Sequence, residues 1–196
     1  ASLSTRNAEL ENEVSQLQAE IIQLRQQVSE TEVLYSLLDF ARARPENKYV
    51  AASVIGKDPS PFLHYVIIDH GSDAGILYGM PVVTQQGLVG RIDAVTAGAA
   101  RVQLITDPGS VVNIKLENAG IEGQAAGSVT GDLSLQMVGL AAKLTANDLV
   151  LTSGLGGDYP ADILVGQLLA PSHELNSLFQ SAAIQPVVDF SKLRAV

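Results

Sequence analysis

The residues able to do covalent chemistry are few. Nucleophile candidates are Ser153, within Thr152-Ser153-Gly154-Leu155-Gly156-Gly157, and Ser110, which follows Asp107-Pro108-Gly109. Neither lies in a Gly-x-Ser-x-Gly elbow entering a helix. The histidines are His64, His70 and His173. Their spacing dictates no triad, although a Ser–His–Asp set can be assembled from distant positions. Asp69, His70 and Asp73 cluster, but without the His-Glu-x-x-His spacing of zincins or the alternating acids of an EF-hand. Asp69-His70-Gly71-Ser72 reads more simply as a tight turn between strands. The glycine run 154–157 does not match a phosphate-binding loop, and Pro160 follows where a helix N-terminus would be needed. It reads as a flexible loop whose glycines supply φ > 0, too slack to hold catalytic geometry. Cysteine is absent, which excludes a thiolate nucleophile, a thiolate metal site and a disulfide framework. No catalytic residue, metal site or cofactor site is expected, and binding is the better expectation.

Composition narrows the kind of binding. The chain has 196 residues and a formal net charge of −9. That balance argues against nucleic acid, which attracts clustered Lys and Arg, and against broad docking on anionic lipid. Tryptophan is absent and aromatics are sparse, so the core is assembled from Val, Ile, Leu and Ala. No apolar run approaches the ~18 residues of a membrane span. The chain opens inside a running heptad pattern without a cap, and from that we expect a fragment of a longer, N-terminally anchored protein.

The element that would position a binding module is the long helix over residues 3–38. With Asn7, Val14, Ile21, Val28 and Tyr35 at heptad position a, position d falls on Leu3, Leu10, Leu17, Leu24, Thr31 and Leu38. β-Branched residues at a with Leu at d favour a parallel dimer, and Asn7 at an a position suits a single register. In that register each g residue faces the e residue five positions on: Arg6 meets Glu11, Glu20 meets Arg25, and no like charges meet. Such contacts select register and do not drive association. The competing reading is a lone amphipathic helix folded onto its own domain. Beyond Tyr35, Val33, Leu34, Leu37, Leu38, Phe40 and Ala41 spread too widely for a narrow seam and read as a face that buries against a globular body. Pro45 stops the helix. The expected segment 1–44 is a rod on the order of 60 Å long, a spacer as well as a clamp.

Downstream the texture is all-β, with short apolar runs broken by turn residues. A first set covers 49–55, 63–69, 82–84, 88–95 and 102–106; a second covers 111–116, 121–126, 133–138, 149–152, 163–169 and 183–188. The two sets echo each other. Val82-Val83-Thr84 followed by Leu88-Val89-Gly90-Arg91-Ile92 resembles Val150-Leu151-Thr152 followed by Leu164-Val165-Gly166-Gln167-Leu168, with eight more residues in the second connection. Duplication is one source of such an echo and convergent strand–turn chemistry another. The fold class is therefore mainly β, a long coiled-coil helix followed by two small β-barrels at 45–110 and 111–196. The last strand is free to close the second barrel or to return to the first.

Several stretches taken together resemble a known family, the rod shape-determining protein MreC of bacteria. They are Asp69-His70-Gly71-Ser72-Asp73-Ala74-Gly75, Gly79-Met80-Pro81-Val82-Val83, Gly87-Leu88-Val89-Gly90-Arg91, Leu104-Ile105-Thr106-Asp107-Pro108, Asp148-Leu149-Val150-Leu151-Thr152-Ser153-Gly154-Leu155-Gly156-Gly157, Val165-Gly166, and Val188-Asp189-Phe190-Ser191-Lys192-Leu193. Two departures are Asn147 and Asp162, which stand where the family commonly has glycine; both residue types tolerate the left-handed conformation. The resemblance implies a single-pass inner-membrane protein with this region outside the cytoplasm, no enzymatic activity, and a scaffold role linking MreD, MreB and an elongation-specific class B penicillin-binding protein. It also implies self-association into dimers and larger assemblies, and it marks Thr152, Ser153, Gly154, Gly156 and Gly157 as a family-motif loop. Two other readings stay open from the residues alone: a periplasmic adaptor of an efflux or secretion system, and a trypsin-like hydrolase on a double barrel.

Overall fold

The computed structural model describes residues 3–172 and 178–196. The chain forms two compact units, Ala1–Asn47 and Lys48–Val196. The first is a single helix, α1 (Leu3–Ala43), whose length follows from an uninterrupted run of good helix formers without Gly or Pro. It ends where Pro45 requires, and Arg44 stacks over Phe40 at 4.4 Å. No residue of α1 is buried. The seam side chains Leu10, Val14, Leu17, Ile21, Leu24, Val28, Tyr35 and Leu38 are 42–63% exposed in the single chain. Among the described residues no helix is long and apolar enough to cross a membrane.

Among its described residues the second unit contains eleven strands: β1 (Val54–Lys57), β2 (Tyr65–Ile68), β3 (Pro81–Val83), β4 (Leu88–Val95), β5 (Ala100–Leu104), β6 (Val111–Leu116), β7 (Glu122–Gly127), β8 (Leu133–Gly139), β9 (Leu149–Thr152), β10 (Leu164–Ser172) and β11 (Phe179–Pro186). Strands β1–β5 form an open antiparallel sheet in the order β1-β2-β5-β4-β3, and β6–β11 form a closed barrel. Alternation explains both. In β6, Val112, Ile114 and Leu116 are buried while Asn113 and Lys115 face outward, and in β2, Val66 and Ile68 point in while Tyr65 and Ile67 point out. Two apolar clusters result: one around Ile114, Leu135 and Val165 of the barrel, which also takes in Leu88 from β4, the other around Val66, Val89, Ile92 and Val102 of the open sheet.

The expectation of two barrels is corrected here: one is closed and the other sheet is open. In the barrel, β6 pairs with both β7 and β9. In the open sheet the place beside β1 is taken by residues 194–196, through Ala52 N–H to Val196 O at 2.9 Å and Val54 N–H to Arg194 O at 2.8 Å. That segment does not form a ladder with β3, which remains a short edge strand carrying Pro81, as suits an edge. The placement of the C-terminal strand has a divided answer. β11 lies in the barrel between β10 and β8, and the residues after it send Val188, Leu193 and Val196 into the core of the open sheet.

The echo in the sequence is an echo in register. Val82 faces Gly90 and Val83 faces Leu88, with a one-residue shift between; Val150 faces Gly166 and Leu151 faces Leu164, with the same shift. Gly90 then faces Leu104 and Gly166 faces Pro186. Thr84 N–H donates to Gly87 O at 2.9 Å and Thr152 N–H to Ile163 O at 2.8 Å. The fourth strands correspond as well, with Val66 opposite Val102 and Leu133 opposite Ile184. Strands β2–β5 and β8–β11 are thus two copies of one four-stranded arrangement. Both copies need their glycine, because a Cβ at Gly90 would stand 1.8 Å from Gln103 O and one at Gly166 would stand 2.2 Å from Gln185 O. Gly90→Ala is accordingly expected to destabilise the chain by more than about 3 kcal/mol in chemical denaturation, whereas Gly98→Ala, where a Cβ meets nothing within 4 Å, stays within about 0.5 kcal/mol.

Candidate functional site

The family-motif loop joins β9 to β10. Thr152 is fully buried; its Oγ1 donates to Pro160 O at 2.6 Å and accepts from Ile163 N–H at 2.9 Å. Those two bonds pin the base of the loop. At the tip, Ser153 N–H donates to Asn113 O at 3.0 Å, Leu155 N–H donates to Ser153 Oγ at 3.2 Å, and Asn113 Nδ2 donates to Leu155 O at 3.1 Å. Gly154, Gly156 and Gly157 have φ of 77°, 80° and 78°, the conformation expected from the sequence. The expectation of a slack loop is corrected: it is braced from base to tip, and the bracing leaves Leu155 half exposed at its end. Asn147 and Asp162 adopt φ of 69° and 67°, so the two departures from the family pattern keep the backbone that glycine would give. Asp162 also pairs with Lys115 at 2.5 Å.

Tyr159 closes the loop from beneath. Its ring is buried in the barrel core, and burial pushes its phenol up to about 12 against the opposing attraction of Arg91. A raised folded value means that the neutral phenol stabilises the fold below the unfolded value near 10. That contribution is lost as pH rises through about 12.

The other candidate groups serve the framework. Asp107 is buried. Its Oδ1 accepts from Gly109 N–H at 2.8 Å and Gln103 Nε2 at 3.0 Å, and its Oδ2 accepts from His64 N–H at 2.9 Å. The His64 ring pairs through Nδ1 with Thr106 Oγ1 at 3.2 Å, so Asp107 orients the backbone of His64 and not its imidazole. Ser110 is buried at the end of this turn, its carbonyl accepting from Gly127 N–H. Asp69 Oδ1 meets His70 Nδ1 at 2.7 Å and Ser53 N–H at 2.8 Å; those hydrogen bonds hold its carboxyl below the usual carboxylate range. Asp73 N–H bonds to Ala97 O. His173 lies outside the described residues. Among the described residues no group of acids and histidines is placed to hold a metal ion. A cleft of about 610 Å³ runs beside the end of β11, lined by Thr106, Asp132, Leu133, Pro186, Val188 and Asp189.

These polar groups accept and donate within turns, and the arrangement offers braced surfaces for recognition. The family model described as "Rod shape-determining protein MreC, barrel core" matches residues 54–196. The chain belongs to the MreC family. The cell shape-determining protein MreC of Escherichia coli (strain K12) is 30% identical over 98% of this chain and 52% of its own length, so the chain spans about half of that relative. The solved structure of MreC from Pseudomonas aeruginosa is 29% identical and matches with a TM-score of 0.73, covering 76% of this chain and 97% of that one. A complex between penicillin-binding protein PBP2 and MreC from Helicobacter pylori matches in fold with a TM-score of 0.61 at 17% identity, over 76% of this chain and 96% of that one.

Two groups escaped the sequence reading. Asp107 is the turn residue whose carboxylate became a buried hub. The second is an outward-facing cluster in which Arg101 donates Nε and Nη2 to Asp93 at 2.8 and 2.9 Å and stacks over Tyr65 at 4.6 Å. Its only sequence signal is alternation, since Arg101 stands between the buried Ala100 and Val102. For the loop, Tyr159→Phe is expected to keep the fold and to flatten the fall in melting temperature between pH 10 and 12, measured by circular dichroism. A variant that falls as steeply as the parent would place the alkaline transition elsewhere.

Proposed function

We propose that this chain is part of a non-enzymatic scaffold of the bacterial elongation machinery, maintaining rod shape by organising peptidoglycan synthases outside the inner membrane. The observation that carries the reading is the family match over 54–196, joined to a β unit in which Ser153, Asp69 and Asp107 hydrogen-bond to backbone groups of their own turns and neighbours. The partner expected for the β unit is a class B penicillin-binding protein. A relative in the same fold has been solved in complex with PBP2, which supports that choice. MreD and MreB complete the proposed assembly, by resemblance to the family. So does the placement of this region outside the cytoplasm, behind a single membrane anchor.

The rod at 1–44 acts in this reading as a parallel homodimer that sets the spacing of the β modules proposed at 45–110 and 111–196. Asn7, Leu10, Val14, Leu17, Ile21, Leu24, Val28, Tyr35 and Leu38 form its seam. The apolar side chains of that seam are all exposed in the single chain, which is a face in want of a partner, and the e and g charges are complementary in register. The adaptor alternative gains nothing from α1, a single helix where a hairpin is needed. The hydrolase alternative gains nothing from Ser153, whose Oγ accepts from Leu155 N–H.

Ile21→Lys combined with Leu24→Lys should convert the chain to monomers in sedimentation velocity, because unpaired charges cannot be buried in the seam. Retention of the dimer would move self-association to the β unit. Ser153→Ala should leave rod shape unchanged in cells that depend on the full-length protein. Loss of shape with a folded, dimeric variant would sink the scaffold reading.

A further inference from the structure

We propose that the outer face of the open sheet, centred on Tyr65 and Arg101, is where the β unit grips a protein partner. That partner sets an apolar side chain against Ile67 and a carboxylate against Arg101. The inference rests on the scaffold reading and names its surface.

The register puts the relevant residues side by side. Tyr65 faces Gln103 and Ile67 faces Arg101, while Arg91 faces Gln103 and Ala94 faces Arg101. Leu63, two residues before Tyr65, continues the outward positions of β2 and is 43% exposed. Arg101 is locked by the bidentate pair with Asp93 and by the Tyr65 ring, so its guanidinium loses little further freedom on binding. Asp93 takes Nε and Nη2, leaving the Nη1 edge of the fork for a second acceptor, and a carboxylate is the acceptor that fits it best. The Arg101 side chain is 42% exposed and that of Asp93 16%, which makes the fork accessible while its counter-ion is largely shielded. Tyrosine and arginine in such fixed arrangements dominate the energetics of protein interfaces.

Gly56 supplies the apolar subsite. It lies opposite Ile67, and a Cβ placed there would make ordinary contacts of 3.7 Å with Ile67 on a backbone that any residue adopts. Neither space nor φ demands glycine at 56. Its lack of a side chain leaves a dimple beside Ile67, against which the incoming side chain packs.

The second copy of the four-stranded arrangement is an internal control. The positions of Tyr65, Ile67, Arg101 and Arg91 correspond there to Asp132, Ser134, Ala183 and Gln167, by the register of β8, β10 and β11. Those residues hold the same strands in the same pairing with none of the Tyr–Arg–Asp chemistry. The cluster is therefore not a requirement of the fold, and an ion pair on a surface contributes too little to stability to account for it.

The test uses the full chain and, as probe, the purified extracytoplasmic part of the class B penicillin-binding protein from the same bacterium, titrated by biolayer interferometry. Gly56→Val fills the dimple with a residue that strands favour, and Arg101→Lys keeps the charge while removing the fork. Each is expected to weaken binding by about tenfold or more with an unchanged melting temperature, while Gln167→Ala on the equivalent outer face of the barrel has no effect. If the unaltered chain binds and both variants bind as tightly, the proposed face is wrong and the scaffold reading stands. If the unaltered chain does not bind the probe, the partner assignment fails, and the inference falls with it.

Discussion

Close approach of backbones at Gly90 and Gly166 is the constraint on which the β unit depends. In each copy a bulged strand passes so near the next strand's glutamine carbonyl that no Cβ fits between them. The bulge adds a residue and strengthens the local twist, which turns Val89 and Val165 into their respective cores, both fully buried. Remove the approach and the third strand of each copy, with its Ile105 or Val187 amide bonded back to the bulged residue, loses its place. Everything the two sheets present to solvent is set by that repeated crossing.

Chain order then ties the copies together. Residues 179–186 complete the barrel, and the ten that follow return to the open sheet, where Val188, Leu193 and Val196 fill its core and Lys57 Nζ reaches Phe190 O at 3.3 Å and Ser191 O at 3.1 Å. The sheet and barrel also meet through backbone, since a Cβ at Gly127 would stand 2.2 Å from Asp107 O. Asp107 adds its three accepted hydrogen bonds at the same junction. A unit braced in this way holds surfaces at fixed angles, which a hinge between two independent barrels would not give.

The same economy shapes the loops. Ser153, Thr152 and Asp107 have the residue types of an active site, and each holds at least one nearby backbone group through its side chain. The result is rigidity at the tips of turns, with Leu155 held half exposed on one braced loop and Arg101 held half exposed on one sheet face. Rigid, partly desolvated groups of this sort suit recognition, because little conformational entropy remains to be lost when a partner arrives.

Much of this was legible in the residues. Periodicity gave the long helix and its end at Pro45, and alternation in 111–116 and at Leu133 and Leu135 placed one face of each strand inward, because side-chain direction is a local consequence of backbone geometry. The alternation that would carry Met137 inward is broken, since Met137 takes φ of 62° and is exposed while Val138 is buried. The φ > 0 backbone of Gly154, Gly156 and Gly157 was legible for the same local reason, as was the tolerance of Asn147 and Asp162 for it. Closure was not. Whether five strands curl into a barrel depends on a sixth that pairs at both edges, and pairing between residues as distant in the chain as Leu133 and Ile184 leaves no mark in either segment alone. The burial of Asp107, the bracing of a loop that composition alone reads as slack, and the meeting of Tyr65, Asp93 and Arg101 are of the same kind. Each is a meeting of side chains and backbone that only the tertiary fold brings about.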